Sequence, residues 1–335
     1  MEKPFAFDPL LAFSMIGIFL VLGVFLRARV KFFQSFLIPS CIIGGILGCI
    51  FLNLKLVDLP FSLFENIAYH CLNIAFISVG LTRNEQQKAP GKGRRVLKGA
   101  LWIALMKGVT WPMQAIIGLA FVVLFGLIGQ DLFPTFGLFL PLGFNEGPGQ
   151  SLALGKVYES FGFQHAPTVG LTFALIGYLF CFFIGIPMIR AGLKRGSAQH
   201  GKKTLTADFQ KGILPKDKQV AGSAKQTLYP ENIDNMAYQM ALVGFVFIVT
   251  YLFFYGLMQV LPANQQKVVW GFYFAFGLIF ATITNRGMQK IGVEHLVDPG
   301  TQRRITGFSL DFMIGSTLMA IQLAVVWEFI IPIMI

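Results

Sequence analysis

Long apolar stretches alternate with short polar segments along this chain. Because a helix that crosses a bilayer needs roughly 20 mostly apolar residues, each stretch predicts one membrane-spanning helix. Irregular backbone cannot face lipid, so the pattern indicates an all-α integral membrane protein, a polytopic helical bundle. Eight spans are predicted, near residues 10–26, 36–54, 61–81, 97–128, 167–189, 236–261, 267–283 and 306–335.

A different kind of segment separates the fourth and fifth spans. Within residues 131–163, two short apolar arms flank the turn-rich sequence GFNEGPGQS of residues 143–151. Neither arm is long enough to cross a bilayer. The segment therefore predicts a re-entrant hairpin that enters and leaves the membrane on one side. The alternative is an ordinary loop outside the membrane.

The distribution of basic residues predicts the orientation. Most of the 27 Lys and Arg residues fall in alternate loops, and short loops rich in these residues stay in the cytoplasm. We therefore expect a multi-pass protein of the cell inner membrane, with the N-terminus outside and the basic linker in the cytoplasm. This topology accounts for the net charge of +11, and a nucleic-acid partner is not expected. The basic loops occupy residues 27–31, 83–98, 190–225 and 286–304.

The span count also predicts how the chain is divided. Residues 1–195 hold five spans and the hairpin, and an odd number of spans would place a second copy upside down in the membrane. Inverted repeats of this kind are a transporter architecture. Residues 196–235 form the basic cytoplasmic linker, and residues 236–335 form a second repeat with three spans. Since a complete second repeat would extend past Ile335, we expect either a fragment or a naturally truncated protein.

Weak internal similarity supports the repeat. The sequence LNIAFISVGL of residues 72–81 aligns with LDFMIGSTLM of residues 310–319. This alignment matches Leu72 with Leu310, Asn73 with Asp311 and Ser78 with Ser316.

The hairpin tip and one lysine carry the chemistry expected of a substrate site. Glycine-rich backbone at membrane depth offers free carbonyls, and the helix that begins near Ser151 directs its positive end towards the tip, which suits a substrate carboxylate. Lys107 lies near the membrane midplane in the fourth span, where it would pair with an anionic substrate or with Glu146; snorkelling or a structural ion pair is the alternative. The predicted substrate-binding residues are Lys107, Asn145, Glu146, Gly147, Gly149, Gln150 and Ser151.

Polar residues in the spans predict a cation site. Hard cations prefer oxygen ligands, and Asn73 and Asp311 occupy matching positions of the two aligned segments. For Asn73, a hydrogen bond between helices is the alternative. The predicted cation-binding residues are Glu146, Asn73, Asp311, Ser316 and Thr317, with sodium as the coupling ion. Neither HExxH nor GxSxG occurs, and we expect neither an enzyme nor a cofactor.

Three segments resemble the sodium/glutamate symporter family: IPSCIIGGILG of residues 38–48, the hairpin sequence of residues 143–163, and GLTFALIGYLFCFFIGIPMIR of residues 170–190. The resemblance implies glycine-rich hairpins that meet in mid-membrane and a symporter that moves glutamate inward with sodium. The family's tip is of the serine-glycine-glycine-histidine-glycine type, so only the glycines and the helix after the tip carry over to this chain.

Two other functions remain open from the sequence. One is a carrier of another organic anion, such as a di- or tricarboxylate, and the other is a non-transporting membrane scaffold. The expected partners are a small anionic substrate, sodium and membrane lipids. Transporters of this architecture often pair, which adds a homodimer to the expectations.

Overall fold

The computed structural model describes residues 5–82, 92–197, 207–213, 224, 226–229 and 231–335. Much of the predicted linker, and residues 83–91 of the basic loop at 83–98, lie outside these ranges. Within them the chain forms helices, turns and irregular segments but no strand. The helices are α1 (Asp8–Arg29), α2 (Lys31–Ser35), α3 (Ser40–Asn53), α4 (Phe61–Leu81), α5 (Lys92–Leu127), α6 (Phe139–Pro141), α7 (Pro148–Ser160), α8 (Ala166–Phe180), α9 (Ile186–Lys194), α10 (Ala207–Lys211), α11 (Asn235–Met258), α12 (Ala263–Trp270), α13 (Tyr273–Lys290), α14 (Pro299–Met319), α15 (Leu323–Glu328) and α16 (Ile330–Met334).

Four segments of these helices are long and apolar enough to cross a membrane: Asp8–Arg29, Val96–Leu127, Ala166–Lys194 and Asn235–Met258. In the most apolar window of each, only 17–39% of the residues are buried inside the protein, as expected for helices that face lipid. Ser40–Asn53 is a shorter apolar helix. The prediction of an all-α polytopic membrane protein is confirmed.

The predicted position of α4 is correct, whereas the last two predicted spans are wrong as single helices. The span at 267–283 is instead split between α12 and α13. The span at 306–335 begins earlier, at Pro299, because the Asp298 carboxylate accepts hydrogen bonds from Gly300 N and Thr301 N and caps α14. It also ends earlier, at Met319.

A pair of antiparallel helices, α4 and α14, forms the centre of the bundle. α3 packs on α14, and α13 packs on α4. Glycines permit both contacts, since a Cβ at Gly45 would lie 2.8 Å from Leu318 Cβ and a Cβ at Gly80 would lie 2.6 Å from Ala281 Cβ. We call α1, α3, α4, α11, α13 and α14 the core group.

Two serines hold the central pair together. The Ser78 hydroxyl donates to the Gln302 carbonyl oxygen over 2.7 Å, and the Ser316 hydroxyl donates to the Phe64 carbonyl oxygen over 2.6 Å. Both hydroxyls are fully buried. These two bonds fix the register of α4 against α14.

The predicted hairpin packs with α5 and α8, and α9 continues from α8 through residues 181–185. We call these helices the hairpin group. Its first arm runs from Phe136 to Glu146, and α7 is the second arm. Backbone meets backbone where α5 crosses the first arm, because Gly118 and Gly137 leave no room for a Cβ at either position. The second arm packs antiparallel against α8.

The hairpin turns at Gly147, where the backbone adopts φ 98°. Glycine accepts this conformation without a steric penalty. Pro148 follows as the first residue of α7, a position at which its missing N–H costs nothing. The sequence Gly147-Pro148 therefore ends one helix and begins the next at the tip.

Candidate functional site

Three of the predicted substrate-binding residues meet at the tip. Lys107 Nζ, from α5, donates to the Asn145 carbonyl oxygen over 2.8 Å and lies 3.5 Å from Glu146 Oε1. The Asn145 side-chain amide donates to Thr110 Oγ1 over 3.0 Å. Lys107 thus contacts the tip itself. Thr110 joins the cluster, although no motif or spacing predicted it.

The tip also contacts the core group. A Cβ at Gly149 would lie 2.6 Å from Leu72 Cδ1 and 2.8 Å from Met313 Sδ, so α7 approaches both α4 and α14 at this glycine. Gly147, in contrast, has open space around it. The hairpin therefore brings its tip to the central helix pair, beside the residue that precedes Asn73.

A cavity of about 580 Å³ lies beside the tip. Glu146 and Gln150 supply its polar groups near the tip, and Trp111 lines it from α5. Most of the other side chains that line it are apolar, from the hairpin arms, α12 and α13. A few polar groups in a mostly apolar cavity are typical of a small-molecule site. We call this space the tip cavity.

Two buried polar side chains near the tip lack hydrogen-bond partners among the described residues. Both Asn73 side-chain atoms and Ser151 Oγ are in this state, and both residues are fully buried. Buried polar groups in proteins are normally paired. Unpaired oxygens of this kind are suited to an ion or an ordered water.

The remaining predicted cation-binding residues do not meet at the tip. Asp311 is exposed and lies beside the Cys41 thiol of α3. Ser316 donates to the Phe64 carbonyl oxygen, and Thr317 donates to the Ile314 carbonyl oxygen over 2.8 Å. Among the described residues, no hydrogen bond or ion pair joins Asp311, Ser316 or Thr317 to the tip. The Ser316 hydroxyl joins α14 to α4, and the Thr317 hydroxyl bonds within its own helix.

One ion pair beside the hairpin was not predicted. Lys156 Nζ, on α7, lies 2.6 Å from Glu65 Oε2 on α4, and the Glu65 side chain is only 7% exposed. Because these residues are far apart in sequence, no local sequence pattern predicts that they form an ion pair.

Comparison with known proteins identifies the family. The family model described as "Sodium/glutamate symporter" matches residues 5–335. A curated sodium/glutamate symporter of Haemophilus influenzae is 28% identical over 188 residues, which cover 54% of this chain and 44% of that protein. The chain therefore spans less than half the length of this curated relative, and no solved structure gives a significant match. With the family model matching nearly its whole length, the chain belongs to the sodium/glutamate symporter family.

Proposed function

We propose that this protein is a sodium-coupled secondary transporter that imports glutamate or a similar acidic amino acid across the inner membrane. Its family is one of symporters rather than enzymes. The observation that carries the proposal is the contact of Lys107 with Asn145 and Glu146 at the broken tip of the hairpin. The substrate site is proposed in the tip cavity, where Glu146 and Gln150 lie.

The charges at the tip suggest how substrate and sodium are coupled. Lys107 and Glu146 are both partly exposed, and the 3.5 Å distance leaves their pairing loose. A sodium ion at the Glu146 carboxylate would neutralise the group that competes for Lys107. Lys107 and the positive end of α7 would then be free to hold a substrate carboxylate. Since binding free energies are coupled reciprocally, each ligand would raise the affinity for the other.

Asn73 offers a second place for sodium. Its amide oxygen is buried and unpaired among the described residues, and it belongs to the helix that the tip contacts. Asp311 is a weaker candidate than the sequence suggests, because it faces α3 rather than the hairpin. Glu146 and Asn73 are therefore the two positions that we propose for the coupling ion.

We also propose an inverted repeat related by a pseudo-two-fold axis through α4 and α14. Both ends of α14 lie 238 residues after the corresponding ends of α4, Phe61 with Pro299 and Leu81 with Met319. A rotation that exchanges α4 with α14 would also exchange their neighbours, because α3 packs on α14 and α13 packs on α4. Inverted repeats place substrate sites near the midplane at the repeat interface, which is where the tip meets Leu72 and Met313.

The orientation is proposed from charge. Arg27 and Arg29 lie in the last turn of α1, and Lys290 lies in the last turn of α13. With these ends in the cytoplasm, the N-terminus is outside and the hairpin enters from the outer side.

Uptake of labelled glutamate into proteoliposomes tests the proposal. We expect accumulation that requires an inward sodium gradient and that falls strongly in Asn145→Ala. Accumulation that is indifferent to sodium would exclude the coupling. Competition by unlabelled aspartate rather than by citrate distinguishes an amino-acid carrier from a carrier of other organic anions.

A further inference from the structure

A second cavity, of about 340 Å³, lies farther along the second arm of the hairpin. It is bounded by α4, α7 and α12 and shares only Val157 with the tip cavity. Lys156 is seven residues from Gly149, which places it about 10 Å along the helix from the tip contact. We call this space the arm cavity. Its polar and aromatic lining includes Glu65, Tyr69, Lys156, Ser160, Lys267 and Trp270.

The two lysines of the arm cavity differ in how their charges are matched. Lys156 lies between two carboxylates, 2.6 Å from Glu65 and 2.9 Å from Glu159. Lys267 donates to the Ser160 carbonyl oxygen over 3.2 Å, and no carboxylate among the described residues forms an ion pair with it. Within the part of the chain that the structure describes, the cavity therefore presents one cation, Lys267, without a counter-charge.

The pair formed by Glu65 and Lys156 joins the core group to the hairpin group. Glu65 is buried on α4, whereas Lys156 is 44% exposed and faces the cavity. A carboxylate in the cavity would pair with Lys267 and would compete with Glu65 for Lys156. Lysine ammonium groups bind carboxylates through charge-assisted hydrogen bonds, which are stronger than neutral ones.

We propose that the arm cavity is a second binding site for the anionic substrate, in which Lys267 and Lys156 hold a carboxylate group. With the hairpin entering from outside, this site lies on the outer side of the tip cavity. A substrate bound there is concentrated beside the tip before it reaches the tip cavity. The ligand class, a small amino-acid dicarboxylate, rests on the proposed function.

Each cavity contains its own tryptophan, which permits a direct test. Trp270 lines the arm cavity and Trp111 lines the tip cavity, while the other two, Trp102 and Trp327, are exposed. The Trp270 backbone carbonyl accepts a hydrogen bond of 2.6 Å from the Tyr69 hydroxyl, which ties the backbone at the reporter to α4. The first reporter protein carries phenylalanine at positions 102, 111 and 327, and the second carries it at positions 102, 270 and 327.

Titration of the purified full chain with glutamate should give a saturable fluorescence change at Trp270. Lys267→Gln should weaken the apparent affinity at this reporter by about 10-fold, the effect of losing a hydrogen bond from a charged donor. Glu65→Gln should strengthen it, because Lys156 loses its buried partner. Glu159→Gln is the matched control: it removes the other partner of Lys156, but that pair is exposed and weak, so a much smaller change is expected.

A Trp270 signal that does not respond to glutamate would overturn the proposal, as would a response that Lys267→Gln leaves unchanged. If Glu65→Gln fails to fold, Lys267→Gln still tests the proposal. Because Lys267 is exposed, its replacement should leave folding unchanged. The Trp111 reporter bears separately on the proposed function. A silent Trp111 beside a responsive Trp270 would contradict the tip site and leave the arm cavity standing.

Discussion

Ser78 and Ser316 make equivalent hydrogen bonds across the central helix pair. Ser78 donates to the Gln302 carbonyl oxygen of α14, and Ser316 donates to the Phe64 carbonyl oxygen of α4. The two donors are 238 residues apart, and so are the two acceptors. A two-fold rotation would exchange the two bonds, which supports the proposed inverted repeat.

Replacing either serine with alanine should destabilise the protein. Each variant loses a buried hydrogen bond, which contributes about 1 kcal/mol. Ser78→Ala should be the more harmful of the two, because Ser78 also lies 2.7 Å from Gln302 Oε1. Thermal unfolding in detergent measures both effects. The control is Ser35→Ala, whose hydroxyl is exposed; equal melting temperatures in all three variants would contradict the role of the central pair.

A side chain at Gly149 should push the hairpin away from the core group. The alanine methyl group would meet Leu72 and Met313 well inside van der Waals contact. Crowding of this kind typically costs about 1–3 kcal/mol, so Gly149→Ala should unfold at a lower temperature and transport more slowly. Gly99→Ala is the control, because Gly99 has open space around it. Similar behaviour of the two variants would show that the tip does not rest on the core.

The crossing of α5 over the first hairpin arm should tolerate no side chain. Gly118→Leu would force α5 away from Gly137 and would separate Lys107 from the tip. We expect weaker glutamate binding, together with a lower melting temperature. Gly126 belongs to the same helix and has only Asp131 Oδ1 nearby, at 3.8 Å, so Gly126→Leu should resemble the wild type. Unchanged binding in Gly118→Leu would contradict the proposed positioning of Lys107 by α5.

Charge at the tip should separate substrate affinity from sodium dependence. Lys107→Gln should raise the KM for glutamate by about 10-fold, because it removes a charged hydrogen-bond donor worth roughly 1.5–3 kcal/mol. Glu146→Gln should chiefly reduce the dependence of uptake on sodium concentration. Lys98→Gln, on the exposed part of the same helix, is the control. An unchanged KM in Lys107→Gln would remove Lys107 from the site.

The sequence predicts a helix end where hydropathy changes at that residue, and misses it where a capping side chain decides the end. The bounds of α4 were predicted correctly because its apolar stretch, residues 61–81, coincides with the helix. The start of α14 was missed because its first turns carry Arg303 and Arg304, which hydropathy assigns to a loop, whereas the Asp298 cap begins the helix there.

The same distinction applies to the candidate site. Its local part, the break at Gly147 and Pro148, could be predicted because glycine permits the positive φ of a turn, whereas proline fixes φ and cannot continue the helix before it. The ion pair of Glu65 with Lys156 could not, since it depends on how the two helix groups pack. The aligned residues Asn73 and Asp311 also differ in their surroundings, since Asn73 is buried near the tip and Asp311 is exposed beside α3, a difference that local sequence similarity does not contain.

The most direct test of the account is the reactivity of a cysteine at the tip cavity. Gln150→Cys would be placed in a protein that carries Cys181→Ala, because Cys181 is exposed and the other three cysteines are buried. Val260→Cys, at a position that is 82% exposed, is the control for general reactivity. The account predicts that sodium and glutamate together slow maleimide labelling at position 150 and leave labelling at position 260 unchanged. Equal labelling rates at position 150 with and without both ligands would contradict it.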